Sequence, residues 1–457
     1  MNFVSLIYIA FLLVAFTVYR LIPRSFRKTW LFVCCVAFCG STLPLQTLGM
    51  LVYAWIMFFL GHRIPKTKGK GTMVAGIVFG VLLLYSCKYL NFTLSLLSID
   101  RTFKIIAPIG ISYIVFQGIS YLAEVRKGTI APVEEPLDLF IYLLFFPKVQ
   151  SGPIEPPDRF LAELTGPSEP DYKDYLLSFS YILNGYVRKM VVADFLAVGV
   201  DSVYGSLEKA DRFSIVMAAV MYSFQIYFDF SGYTDIAIGS AGLFGIRLSQ
   251  NFDRPYLATG IRDFWKRWHM SLSTWLMKYI YIPLGGSRKG KLKKQVNTLI
   301  TFAVSGLWHG ASLTYLIWGM LHGLMQVVEN LFSRKDKGEM KLWSRVIRIT
   351  VTFALVTVAW IFFRIPSLAG LVTFARSFAY NTPDIHAAVK LCRLSVQVGA
   401  VVLTGCLFSE LTRLFCIKKP RTSAVMLMGL ADAALILVSL CFFPGSGEGS
   451  SFIYFNF

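Results

Sequence analysis

From residue 29 to residue 61 this chain carries no charged side chain, and runs of that kind recur from one end of the sequence to the other. A bilayer core about 30 Å thick takes about twenty apolar residues as a helix, because only helices and closed barrels satisfy every backbone N–H and C=O without water. Repeated runs therefore predict an all-α, polytopic integral membrane protein, read as a single membrane domain over 1–457. The 16% of charged residues, against about 25% in soluble domains, supports the same reading.

The net charge of +19 would suit nucleic acid if the bases shared one soluble face. They fall instead between apolar runs, as the positive-inside bias requires, so nucleic-acid binding is not expected. One functional use of the charge survives, attraction of an anionic donor at the cytoplasmic surface. The eight cysteines form no C-x-x-C pair and lie mostly in apolar runs, so they read as small buried hydrophobes. Neither a metal site nor a disulfide framework is expected from them.

The apolar run 3–18 lacks a basic n-region and a cleavage site, so it reads as a first span rather than a removable signal. Arg20, Arg24, Arg27 and Lys28 follow it, which places that end in the cytoplasm and Met1 outside. Two short spans are expected within 29–61, turning at 40–44 and landing at Arg63, Lys66, Lys68 and Lys70. A long span from 73 to about 99 contains Lys88, whose stem can snorkel or pair, and the run 105–122 ends at Arg126 and Lys127. Later spans are expected over 311–328, 346–363, 396–407 and 424–443, the last interrupted by Asp432. The shorter piece 368–378 reads as tilted or half-inserted.

Between these runs the pattern breaks. The apolar run 137–146 is too short to span and leads into Pro147-Lys148-Val149-Gln150-Ser151-Gly152-Pro153-Ile154-Glu155-Pro156-Pro157. Prolines forbid a helix there, and polar backbone at membrane depth must be buried in protein or line a cavity; an ordinary surface loop is the competing reading. The segment 171–189 mixes charge with Leu, Phe and Tyr like an interfacial amphipathic helix. After 214–228 come Asp229 and Asp235, whose carboxylates need Arg, His or backbone donors, with Gly232 a candidate break between them. They can orient an imidazole or form structural pairs.

The segment 263–275 interleaves aromatics and bases; as one helix it puts Trp265, Trp268, Leu272 and Trp275 on a face suited to headgroup level. Lys291, Lys293 and Lys294 complete a cytoplasmic basic cluster with Arg262, Lys266, Arg267, Arg288 and Lys289, part of which topology alone explains. His309 follows the uncharged run 295–308 and precedes another apolar run, 311–321. A rise of about 1.5 Å per residue puts it roughly 20 Å beyond Lys294, inside the bilayer core. An ionisable group at that depth suggests function, the alternative being a histidine satisfied by a helix neighbour. Trp308 and Trp318 flank it, and His322 is a second polar group on the following helix.

The motifs Asp229-Phe-Ser-Gly-Tyr-Thr-Asp235, Asn251-Phe-Asp-Arg-Pro-Tyr256, Phe264-Trp-Lys-Arg-Trp-His269, Tyr281-Ile-Pro-Leu-Gly-Gly286 and Gly306-Leu-Trp-His-Gly310 stand in that order. With Ser151-Gly-Pro-Ile154 and the aromatic tail 452–457, they resemble the membrane-bound O-acyltransferase family from about residue 107 onward. Within it they resemble the bacterial branch that contains the alginate O-acetylation protein and the teichoic-acid D-alanyl transferase. The resemblance implies a ring of about eleven membrane helices around a thinned centre, with a tunnel joining cytoplasmic and external funnels. On it, 1–106 supplies N-terminal spans, 107–330 the motif-bearing core and 331–457 C-terminal spans. It also implies that His309 matches the family's essential histidine and His269 its second one. Trp308, Trp268, Asp229, Tyr233 and Ser271 are then expected along the substrate path, and Lys266, Arg267, Arg288 and Lys289 as the patch that attracts the donor. One departure stands out: Met277-Lys278 occupies a place where many relatives carry Arg-Asp or Lys-Asp, so no role for an acidic group carries over.

Acyl transfer from a thioester to a hydroxyl needs a base for the alcohol proton and donors for the developing oxyanion, and neutral histidine is the usual base. The expectation is an O-acyltransferase in which His309 is that base, or hydrogen-bonds the thioester carbonyl, with His269 nearby. Ser271 and Ser273 sit in no G-x-S-x-G elbow, which removes a serine-hydrolase reading. No permanently bound cofactor and no metal are expected. The donor is acyl-CoA or a phosphopantetheinyl carrier protein at the cytoplasmic face of a bacterial cell membrane, with lipid around the protein. The expected acceptor is an exported or cell-wall polysaccharide, first for acetyl, with D-alanyl transfer toward teichoic acid as the alternative, and the resemblance implies an extracytoplasmic acyltransferase partner that completes the transfer. Two rivals come from other classes. A proton-coupled transporter also shows intramembrane His, Asp and Gln with broken helices, but the absence of a two-half repeat counts against it. A non-catalytic scaffold is disfavoured by the presence of both histidines.

Overall fold

The computed structural model describes residues 1–41, 43–66, 70–166, 169–332 and 340–382, with positions 384, 400, 423, 429, 430, 452 and 453. Nearly all of the expected spans 396–407 and 424–443, with Asp432 and Cys392, Cys406, Cys416 and Cys441, lies outside the described residues. Among those residues all regular structure is helical, and the chain divides into two compact units.

Met1–Val187 and Gly232–Ser249 belong to the first unit. Helix α1 (Leu6–Leu21) is capped by Ser5, whose hydroxyl accepts the Tyr8 N–H at 3.2 Å. Then come α2 (Arg24–Gly40) and α3 (Pro44–Lys66), with the turn between them where the sequence places it. Helix α4 (Lys70–Leu84) passes through a π turn (Tyr85–Tyr89), which holds Lys88, into α5 (Leu90–Leu96). Helices α6 (Ile111–Lys127), α7 (Pro136–Leu144), α8 (Pro157–Thr165) and α9 (Tyr172–Tyr186) complete the series. Helix α6 starts six residues later than the apolar run suggests, because Gly110 (φ +67°) turns the chain where an added Cβ would strike the Val149 carbonyl. The proline-broken stretch after α7 is buried, not a surface loop, and Lys148 and Glu155 within it find partners internally. The Lys148 ammonium donates to the Tyr142 carbonyl at 2.6 Å and to Gln117 Oε1, and the Tyr142 hydroxyl donates to the Glu155 carbonyl at 2.8 Å. Helix α9 opens on an Asp171/Asp174 capping box and then buries Ser178 and residues 180–182 and 184–186, so it packs more deeply than an interfacial helix would.

Arg188–Ser231 and the described part of Gln250–Ser409 belong to the second unit. A π turn (Val187–Ala193) leads into α10 (Asp194–Tyr204). Helix α11 (Arg212–Gly242) runs unbroken through Gly232, contrary to the expected break. The close approach here depends on Gly185 of α9, where an added Cβ would sit 2.6 Å from the Gly232 carbonyl oxygen. The stretch expected as one helix over 263–275 is two, α12 (Ile261–Trp265) and α13 (Met270–Leu276), because His269 takes a left-handed conformation (φ 43°, ψ 54°). Trp265, Trp268, Leu272 and Trp275 are all buried, so this is a packed core element rather than a headgroup-level face. A π turn (Met277–Tyr281) and a run of turns lead to α14 (Lys291–His309), α15 (Leu313–Phe332), α16 (Leu342–Arg364) and α17 (Leu368–Tyr380).

Among the described residues, four helical lengths are long and apolar enough to cross a membrane: Pro44–Lys66, Lys70–Leu96, Arg212–Gly242 and Leu342–Arg364; α1, expected as the first span, has 16 residues. Leu6, Ile7 and Leu13 of α1, Val78, Val81 and Leu82 of α4 and Val346, Val351 and Val358 of α16 are exposed, an apolar exterior suited to lipid and not to water.

Candidate active site

Helices α14 and α15 form a hairpin joined by residues 310–312 alone. Their close approach depends on glycine, since an added Cβ on Gly306 would collide with the Tyr315 carbonyl and one on Gly319 with the Phe302 carbonyl. Ser312 starts α15: its hydroxyl accepts the Thr314 N–H at 3.2 Å and donates to the Pro366 carbonyl at 2.7 Å. His309 is the last residue of α14 and is buried. Its ring lies 4.9 Å from Trp308, 5.0 Å from Trp318 and 5.2 Å from Phe363, edge to face in each case.

His269 is fully buried in the same unit. A left-handed backbone costs a branched or bulky residue free energy and persists only where neighbours impose it. Asn251 imposes it here. Its carbonyl accepts the Met270 N–H at 3.1 Å and its Oδ1 accepts the Ser271 N–H at 3.1 Å, while the Asp253 N–H donates to the Arg267 carbonyl at 3.0 Å. The His269 ring then lies 4.8 Å from Phe230 and 6.0 Å from Trp308. Trp308 thus touches both imidazoles, and the two histidines singled out in sequence share one aromatic-walled cluster.

The other residues expected along the substrate path divide. Trp268 packs among Phe252, Phe264 and Trp360 at 5.0, 5.5 and 5.0 Å, and Ser271 adjoins His269 through the Asn251 clamp. Asp229 meets the buried Lys189 ammonium at 2.8 Å, and Asp194 meets the same ammonium at 2.8 Å. The π turn presents Lys189 to both. Tyr233 belongs to the first unit, where its hydroxyl accepts the Ser151 N–H at 3.1 Å and donates to the Pro147 carbonyl at 3.4 Å, with Phe452 of the C-terminal tail 5.3 Å away. The rest of that tail, 454–457, lies outside the described residues. Lys266, Arg288 and Lys289 are exposed, whereas Arg267 is paired with Asp263 at 2.9 Å and Asp253 at 3.9 Å. Lys189, Asn251 and Phe230 were not singled out by sequence reasoning; only Asn251 had a visible signal, its place at the head of a motif.

Residues 135–371 match MBOAT, the membrane-bound O-acyltransferase family, a stretch that takes in both histidines and the hairpin. The chain belongs to the membrane-bound O-acyltransferase family. This acyltransferase is 32% identical over 363 residues to a probable alginate O-acetylase AlgI of Pseudomonas syringae pv. tomato, covering 76% of this chain and 68% of that one. It is 31% identical over 413 residues to a peptidoglycan O-acetyltransferase of Helicobacter pylori, covering 82% and 77%. It is also 29% identical over 276 residues to a teichoic acid D-alanyltransferase of Bacillus subtilis, covering 55% and 67%. The acyltransferase is thus a membrane enzyme whose relatives modify polymers of the cell surface.

Proposed function

We propose that this acyltransferase carries an acetyl group from a cytoplasmic thioester, acyl-CoA or a phosphopantetheinyl carrier protein, to hydroxyls of an exported or cell-wall polysaccharide. The observation that supports this most is the buried cluster of His309, Trp308 and His269 at the tip of the glycine-packed hairpin. In this reading His309 takes the proton of the attacking hydroxyl and returns it to the leaving thiolate, and His269 lies beside the path. The alignment with two O-acetylating relatives over three quarters or more of the chain favours acetyl as the group. D-alanyl transfer is the second reading, from the likeness to the teichoic acid enzyme. The remaining parts of the proposal are a ring of about eleven spans around a tunnel, Met1 outside a bacterial cell membrane, and a partner enzyme beyond the membrane that finishes the transfer.

The test is His309→Ala in cells lacking the native copy. The variant should reach the membrane at normal levels while ester on the surface polymer falls to background, read by mass spectrometry, which also tells acetyl from D-alanyl by its mass. A fully acylated polymer from that variant would remove His309 from the mechanism.

A further inference from the structure

Next to His309 on α15 lies a polar pair that the reaction above leaves unused. Trp318 and His322 are both fully buried and stand one helical turn apart on the same face. The Trp318 ring lies 5.0 Å from His309 on one side and 5.0 Å from His322 on the other. The Trp265 indole N–H points at His322 Nδ1 at 3.3 Å. An indole nitrogen only donates, so Nδ1 must be the acceptor, which makes this imidazole neutral and puts its proton on Nε2. His322 Nε2–H and Trp318 Nε1–H have no acceptor among the described residues. Two buried donors left open cost free energy unless something fills them, and the ring that bears one of them lies 5.0 Å from the residue proposed as base.

We propose that Trp318 Nε1–H and His322 Nε2–H receive the acyl carbonyl oxygen of the thioester and hold it as it becomes an oxyanion, an inference that rests on the acyl-transfer reading. The acceptor hydroxyl attacks the acyl carbon and its proton passes to His309. The carbonyl π pair moves to the oxygen, where the two N–H groups meet it. Collapse reforms C=O and breaks C–S, and the departing thiolate takes the proton from His309, leaving ester, thiol and neutral imidazole. Trp265 is a positioning residue, since it fixes which nitrogen of His322 carries the proton.

The test uses Trp318→Phe and His322→Phe, which remove the donors and keep a ring. In the cellular assay each should lower polymer ester to about a tenth of wild type or less at normal membrane level, since one oxyanion donor is worth about 100-fold in kcat. The purified protein in proteoliposomes is then given acetyl-CoA and dithioacetyl-CoA, whose C=S accepts hydrogen bonds poorly. Wild type should favour the oxo donor, and each variant should lose most of that preference. Ester content within about twofold of wild type in both variants, or a fall with the oxo/thiono ratio unchanged, would overturn the proposal and leave a trapped water only, or packing, as the role of the pair. Failure of the broader reading is a separate outcome, visible as full acylation by His309→Ala.

Discussion

His269 is one of three residues other than glycine with positive φ among those described, with Ser98 and Arg254, and it alone of these is fully buried. Its backbone and its ring therefore make separate demands. Asparagine tolerates the left-handed region better than most residues, so His269→Asn satisfies the first demand and removes the second. We expect that variant to melt within a few degrees of wild type in detergent and to lose about 100-fold or more in acyl transfer. Equal loss of stability and activity would instead assign His269 a packing role. This residue also marks the limit of what the sequence discloses. The helix that ends on His309 is legible because an uncharged run leads from Lys294 to it. The left-handed turn at 269 is not, since its cause, the Asn251 clamp, lies eighteen residues back in the chain and acts only once both segments have met.

Local propensity misleads in the same way at the scale of elements. Gly232 reads as a breaker, yet α11 passes through it, and the glycine that the α9 contact requires is Gly185, where an added Cβ would meet the Gly232 carbonyl. The α14–α15 hairpin shows the stronger case, with glycines on both helices where the backbones touch. Gly306→Val should force the pair apart, lower stability by about 1–3 kcal/mol and displace His309 enough to abolish activity. Gly49→Ala in α3 is the control: nothing stands within 4 Å of the added methyl, so melting should be unchanged or slightly raised. Comparing the two melting curves separates close packing from the general cost of altering a glycine. The longer helices are legible from charge-poor runs, whereas α8 and α10, which follow no such run, are not. The break at 147–157 is legible from its prolines, but the partners that let it be buried are not, as Lys148 finds them in Gln117 and the Tyr142 carbonyl, distant in the chain or fixed only by the fold.

Across the whole molecule, the net charge of +19 is spread through loops and helix ends, so topology claims most of it. The structure narrows the surplus, since Arg267 is engaged by Asp263 and Asp253 while Lys266, Arg288 and Lys289 are exposed. Replacing those three with Gln should lower kcat/KM for acetyl-CoA several-fold at low ionic strength, with the deficit vanishing at about 0.5 M salt, where charges beyond a few ångströms no longer sense each other. A deficit that persisted at high salt would mean direct contact rather than steering. The hairpin has one more implication. His309 stands at the end of a stiff post whose partner helix is locked to it by glycine, so the imidazole proposed as base is not free to travel toward a substrate. The delivery must then be done by the donor. A thioester hung on a slender, extensible stalk meets that demand, and the same thioester on a stub does not.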